Sequence, residues 1–316
     1  MADRMRAATW PAGADAMEII EAPVPVPGKG EVLVRVHTAG INEMDVETRA
    51  GGWTREVKQF RKAGPVVTGF EFAGIAETGS GHIKPGARVY GYSPVIKGPR
   101  VHAEYACVPA KDMAEMPDSM SFGEAAALCV MGLTAVEVID DIAKVKAGDH
   151  VCIIGAAGGL GAYATQLAKA RSAHVTAVAS PANHDFVVAQ GADEVRARGE
   201  TTPLQPQDRF SLILDCPAIM SFAQTKRHLA PGGTYVSSNP MNDLTGFLRA
   251  LPSRRKAGWL LMLTTTPAKL DRLSRIAGEG HMRPVIDSAF PLDEINSAFD
   301  RFATPGKQGR VLIEMD

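Results

Sequence analysis

The stretch HVCIIGAAGGLGAYATQLAKA, residues 150–170, decides the fold of this 316-residue chain. VCIIG is a short apolar run of the kind that makes a buried strand, and GLGAYATQLAKA carries apolar residues at helical spacing. The turn between them is built from small residues. Written as Ala156-x-Gly158-x-x-Gly161, it has the spacing of a dinucleotide fingerprint with alanine in the first slot. A glycine at 158 lets the backbone approach a diphosphate, and a glycine at 161 lets helix and strand pack closely. The helix start offers unpaired N–H groups and partial positive charge to an anion. Glycine spacing alone is weak evidence, because a tight crossing of small residues would also use it. Here it follows a strand, opens a helix and sits at the first crossover of a βαβ unit, which favours a phosphate cradle formed by Ala156, Ala157, Gly158, Gly159, Leu160 and Gly161.

Outward from this point strands and helices alternate. VTAVAS is a strand, HDFVVAQG a helix and DRFSLILDC a strand; FAQTKRHLAPGGTYVSS then gives helix, glycine turn and strand. Upstream, SFGEAAALCVMGLTAVEVIDDIAKV is a helix that Ser121 can cap with Glu124 three residues on. Such alternation means an α/β doubly wound parallel sheet. The first third has a different texture. EVLVRVHTAGI, GFEFAGIAET, ARVYGY and VHAEYACVPA are short strands broken by Gly and Pro, which suggests a β-rich, barrel-like domain. After Asn239 the chain reads as a loop and short helix (MNDLTGFLRALPSRRKAG), a strand (GWLLMLTTT), a helix (PAKLDRLSRIAGEG), then a helix and final strand (PLDEINSAFDRFATPGKQGRVLIEMD). The layout is best described as an interrupted first domain, residues 1–122 with 267–316, around an inserted nucleotide-binding domain of residues 123–266.

Bulk properties exclude several classes. With 34 basic and 35 acidic residues and a net charge of −1, no long-range field attracts nucleic acid or an anionic membrane. The basic run Arg254-Arg255-Lys256 reads as a solvated face. Cys107, Cys129, Cys152 and Cys216 lack CxxC spacing and sit among apolar neighbours, as reduced core thiols do. The eight histidines show no HExxH pairing, and no catalytic Ser-His-Asp arrangement is evident. MADRMRAATW has no signal-peptide core and no 18-residue apolar run occurs, so a cytoplasmic protein is expected.

The second strand of the nucleotide-binding unit ends at Ser180, where NAD enzymes place an acid for the ribose hydroxyls. Without a carboxylate to repel a 2′-phosphate, NADPH is the expected cofactor. His184 and Arg198 are the candidate basic partners for that phosphate.

These residues carry a family resemblance. VLVRVHTAGINEMDVETRAG, TGFEFAGIAETG, KPGARVYGY, HAEYACVPA, the run from EAAALCVMGL to QLAKA, GADEV, LAPGGTYVS and GKQGRVLIE together resemble the medium-chain dehydrogenase/reductases, within them the zinc-independent quinone oxidoreductase (zeta-crystallin-like) branch. The resemblance spans nearly the whole chain. It implies a GroES-like catalytic domain, an inserted Rossmann domain and an active site between them. Zinc-dependent members carry an early cysteine and a GHE motif. The matching stretches here read GINEMD and GFEFAG, with Asn42 in place of a thiolate and Phe70 where the histidine would stand. A catalytic zinc needs three protein ligands, and Glu71 alone does not supply them, so no metal is expected.

The resemblance further implies hydride transfer to a quinone or to the β-carbon of an enone, with a hydrogen-bond donor in place of the metal. Asn42 is the first candidate for that donor and for contact with the nicotinamide. Tyr92 is the second catalytic candidate, as a wall of the cleft that donates or stacks. Val130 and Thr134 are candidates beside the nicotinamide and ribose; a threonine in a helix also bonds back to its own preceding turn. Ser180, Arg198 and Asn239 complete the candidate cofactor set. Asp45 and Glu71 are read as structural, near the vacated metal site. An enoyl-thioester reductase and a cofactor-binding protein without catalysis are the two competing readings. The apolar strand GWLLMLTTT is expected to join two copies of the chain as a homodimer.

Overall fold

The computed structural model describes residues 3–11, 14, 16–49, 66–93, 98–199, 203–251, 253–260 and 265–315. The N-terminal third forms β1 (Arg4–Thr9) and β2 (Glu18–Pro23), an antiparallel ribbon, then β3 (Glu31–Gly40), β4 (Glu71–Ala76), β5 (Arg88–Tyr92), β6 (Tyr105–Pro109) and β7 (Met113–Glu115). Strands β3, β4, β5 and β7 run antiparallel in that spatial order, and β6 also pairs with β3. A short helix, α1 (Glu43–Arg49), follows β3 directly. The residues of GINEMD cap this helix. The Asn42 side-chain oxygen accepts the Met44 N–H at 2.9 Å, and Asp45 accepts the Asn42 N–H at 2.9 Å.

Helix α2 (Phe122–Val136) starts on the Ser121–Glu124 capping box and continues as a π-helical stretch over Glu137–Ile142. The whole helix is long and apolar enough to cross a bilayer, yet 72% of its most apolar window is buried inside the fold. It is the core helix, packed on β3, β4 and β5 on one side and on α3 (Gly159–Ala170) on the other.

Six strands make the second sheet: β8 (His150–Ile154), β9 (His174–Ala179), β10 (Glu194–Ala197), β11 (Phe210–Asp215), β12 (Leu229–Ser237) and β13 (Lys256–Trp259). All pairings are parallel, in the order β10-β9-β8-β11-β12-β13, the doubly wound order with its switch point between β8 and β11. Helices α4 (His184–Ala189), α5 (Phe222–Thr225) and α6 (Leu244–Ala250) lie in the connections. The chain then forms α7 (Pro267–Gly278), β14 (Ile286–Pro291), α8 (Ile295–Ala303) and β15 (Arg310–Glu314). β15 pairs antiparallel with β3, Leu312 opposite Gly40, so the last segment returns to the first sheet. The proposed domain division cuts just after the cap of α2 and just after Thr266, the cap of α7.

Five strands escape a reading of the sequence: β1, β2, β7, β10 and β14. Of these, β10 and β14 are edge strands with no fully buried side chain, so neither shows the apolar alternation that marks a strand. The strand expected over GWLLMLTTT begins earlier, at Lys256, and residues 261–264 lie outside the described residues.

Candidate active site

Between the two sheets lies a cleft of about 490 Å³. One wall is the start of α1 with Asn42, Glu43 and Met44; another is α2 with Val130, Met131 and Thr134; the floor is the glycine turn from Gly158 to Gly161.

The glycine turn has the geometry its sequence requires. Gly155 follows β8 with φ +79°, a left-handed conformation that favours glycine. A Cβ on Gly161 would come within 2.3 Å of the Gly155 carbonyl oxygen, so helix and strand approach too closely for any side chain. A Cβ on Gly158 would meet nothing nearer than 3.6 Å, which leaves open space above the cap of α3. Gly159 is dictated from elsewhere: a Cβ there would strike Arg310 Cδ at 2.5 Å. Arg310 begins β15, and Gly309 before it donates its N–H to the Ala157 carbonyl at 2.9 Å. The C-terminal strand thus lays a guanidinium against the glycine turn.

That guanidinium pairs with Glu71, and both side chains are buried. Glu71 opens β4 opposite Gly40, where a Cβ would come within 2.7 Å of its carboxylate. Its Oε1 accepts from Arg310 and, at 3.2 Å, from Asn42 Nδ2; its Oε2 accepts the Val130 N–H at 3.0 Å. Burial pushes the Glu71 carboxyl up, while Arg310, Val130 and Asn42 pull it back. Burial likewise raises Asp45 well above the usual carboxylate range, with Glu71 adding to the push. Arg310 Nε is buried without a partner, so the guanidinium keeps a donor uncommitted beside the cradle.

The network also fixes the Asn42 amide. Its oxygen is taken by the Met44 N–H and one amide hydrogen by Glu71, leaving the second N–H of Nδ2 uncommitted at the cleft wall. The same donor set does not fit a catalytic zinc. Glu71 is already committed to three donors, Phe70 is buried apolar, and no group of three His, Cys, Asp or Glu converges among the described residues.

Comparison with known proteins agrees with this architecture. Residues 28–118 match the alcohol dehydrogenase GroES-like domain, and residues 190–313 match the zinc-binding dehydrogenase family. A quinone oxidoreductase structure from Coxiella burnetii superposes with a TM-score of 0.89 at 26% identity, over 99% of this chain and 100% of that one. The chain belongs to the medium-chain dehydrogenase/reductase superfamily, in its quinone oxidoreductase branch. The chloroplast envelope quinone oxidoreductase homolog of Arabidopsis thaliana is 28% identical over 96% of this chain and 95% of its own. A trans-enoyl reductase of Aspergillus terreus, pgmF, is also 28% identical, over 92% of this chain and 87% of its own. Superfamily membership makes the chain an oxidoreductase of the kind that uses a nicotinamide cofactor.

The structure brings most of the expected residues to one place. Asn42, Val130, Thr134, Gly158, Gly159, Leu160, Gly161 and Asn239 all line the cleft. Thr134 does so while its hydroxyl donates to the Val130 carbonyl at 2.7 Å, the back-bond expected of a helical threonine. Ala156 and Ala157 lie beneath the turn: Ala156 donates its N–H to Val178 and Ala157 accepts from Gly309. Tyr92 is not on the described cleft wall. It is fully buried, and its hydroxyl points at Met44 Sδ, 3.4 Å away, so it backs a lining residue. Ser180 and Arg198 stand apart from the described cleft but close to each other, since the Arg198 N–H donates to the carbonyl of Ala179 at 2.8 Å.

Several lining residues were not picked out as candidates, among them Arg310, Lys307 and Cys216. Arg310 and Lys307 come from GKQGR, some 150 residues beyond the glycine turn, and nothing local announces that the last strand returns to the cradle. Cys216, expected as a core thiol, instead lines the cleft partly exposed just after β11, and burial of its thiol raises it well above the usual range.

Proposed function

We propose that this chain is an NADPH-dependent, zinc-independent oxidoreductase that reduces a quinone or an α,β-unsaturated carbonyl. The observation that carries the reading is the state of Glu71. A carboxylate at the head of the cleft is neutralised by Arg310 beside a glycine cradle, so the site has a built-in cation and, among the described residues, no ligand set for a metal. When bound, the nicotinamide supplies a hydride to an electron-poor carbon. The N–H groups at the start of α3 and the uncommitted donor of Arg310 suit the cofactor's diphosphate. Val130, Met131 and Leu260 exclude water from the cleft. The second N–H of Asn42 donates to the acceptor oxygen as negative charge develops there. Ser180 with Arg198 beside it, and no acid in Ser180's place, supports NADPH over NADH.

The test is reduced-cofactor oxidation in excess chelator, offering NADPH and NADH separately with an ortho-quinone or a short enone. Turnover that survives chelation and favours NADPH supports the reading; dependence on added zinc sinks it. The resemblance to a trans-enoyl reductase favours a second reading, an enoyl thioester as the acceptor. Turnover with a thioester alone selects it, and tight cofactor binding without turnover on any acceptor leaves a binding role.

We further propose a homodimer, in the cytoplasm. Among the described residues β13 pairs on one side only, and α6 packs beside it with Leu244, Leu248 and Leu251 exposed. A solution mass of twice 33.6 kDa is expected by light scattering, and a monomer at micromolar concentration would refute the assembly. Cell fractionation tests the location.

A further inference from the structure

The proposed mechanism leaves a cationic side chain in the cleft unused. Lys307 lines the cavity from the loop between α8 and β15, and its Nζ lies 3.5 Å from the centroid of the Phe302 ring. The loop is rigidly seated. Gln308 donates its N–H to Asp287 at 2.8 Å and its amide to Asn183 at 3.0 Å, and Gly309 bridges to Gly158 at the cradle itself. Lys307 therefore projects from a fixed backbone only two residues from the bridge to the glycine turn.

We propose that Lys307 is a ligand of the cofactor's diphosphate through which dinucleotide binding takes up a proton. This rests on the reading of the cleft as a dinucleotide site and adds a residue and a linkage to it.

The charges facing Lys307 come from four elements. Asp287 of β14 and Arg301 of α8 pair with each other at 2.6 Å, and Arg310 of β15 pairs with Glu71, so these largely cancel. Glu43, exposed at the start of α1, is the remaining anion. It is a weak, solvated partner for an amine held against an aromatic ring. Burial accordingly lowers the Lys307 ammonium to about 8, with Glu43 and Asp287 opposing the fall and Arg310 and Arg301 adding to it. A diphosphate settling on the cradle would supply the strong counter-charge that Glu43 does not, and would raise that value.

The direction of the linkage follows. Well below pH 8 the amine is charged in the free protein, so binding takes up no proton and has its full strength. As pH rises through 8 the free amine loses its proton while the bound one keeps it. Binding then takes up a proton and weakens with each step in pH, until the bound group also titrates and the contribution is lost.

Isothermal titration calorimetry of the full chain with NADPH, between pH 7.5 and 9.5 and in two buffers of different ionisation enthalpy, reads this directly. Near pH 8.5 an uptake of about 0.7 proton is expected, and Kd should weaken by roughly tenfold across the range. NADH should show the same uptake, because it shares the diphosphate and lacks only the 2′-phosphate. Lys307→Met should bind about tenfold more weakly at pH 7.5, with an affinity that no longer changes with pH. Glu43→Gln, which removes a competing anion, should tighten binding and move the uptake to lower pH. Wild-type binding without proton uptake overturns the inference alone, as does a Lys307→Met chain that binds like the wild type at pH 7.5. Uptake with NADPH but not NADH also overturns it, by assigning the lysine to the 2′-phosphate. Failure to bind either dinucleotide at any pH overturns the dinucleotide reading together with it.

Discussion

Replacing Arg310 by methionine is expected to destabilise the fold by about 3–5 kcal/mol, the usual cost of leaving one member of a buried ion pair uncompensated. Glu71 has 0% of its surface exposed and Arg310 2%, so solvent cannot take over the lost charge. Two neutral donors, from Asn42 and Val130, remain on the carboxylate and cannot neutralise it. The Glu71 carboxyl must then take a proton or draw water into the core. The double variant Arg310→Met with Glu71→Gln removes both charges and should recover much of the loss, which a double-mutant cycle in urea would measure. An unchanged denaturation midpoint in Arg310→Met would show that the pair is dispensable. Dinucleotide affinity should fall in both variants, because the uncommitted guanidinium donor is absent from each.

The second large effect is on turnover. Asn42→Ala should lower kcat by about 10²–10³, the range seen when one donor to a developing oxyanion is deleted. The cost in stability is separate and smaller: losing the cap oxygen on α1 amounts to about 1 kcal/mol. Asn42→Ser separates the two, since a serine retains a capping oxygen but lacks the amide that reaches Glu71 and the cleft. Its stability should approach that of the wild type while its turnover stays near that of the alanine variant. Steady-state kinetics with the preferred acceptor, beside a denaturation curve, checks both. Wild-type kcat in both variants would remove Asn42 from the chemistry.

The parallel sheet was legible because its strands are buried on both faces and its helices follow at regular distance. VCIIG, VTAVA and FSLILD announce themselves as apolar runs, and GAAGGLG needs no partner outside its own turn to be read. Legibility failed where a residue's meaning comes from a distant contact. β10 and β14 are edge strands with little to bury, so they carry no pattern. α1 was hidden because its seven residues are specified by capping bonds rather than by a repeating apolar face. The two glycines at 158 and 159 look alike in sequence and differ in purpose: one faces open space and the other makes room for Arg310. The sequence places Glu71 near a vacated metal site, but its neutralising partner lies 239 positions away and is joined to it only by the pairing of β15 with β3. Tyr92 shows the converse. An aromatic hydroxyl beside a cleft invites a catalytic role, yet the rotation of its strand turns it behind Met44.

The return of β15 to β3 also bears on the order in which the molecule is made. A chain is synthesised from its N-terminus, and its early domains fold as they emerge. The six described strands of the parallel sheet are complete by Trp259, so that sheet can assemble before α7, α8 and β15 are made. The cleft beside it cannot. Its neutralising cation, its amine and the bridge to Gly158 all lie between residues 307 and 310, which follow the whole of that sheet in synthesis. Until then Glu71 waits without its partner and the cradle lacks one side. A nascent chain of this kind holds a folded nucleotide-binding half well before it has a finished place to put the nucleotide.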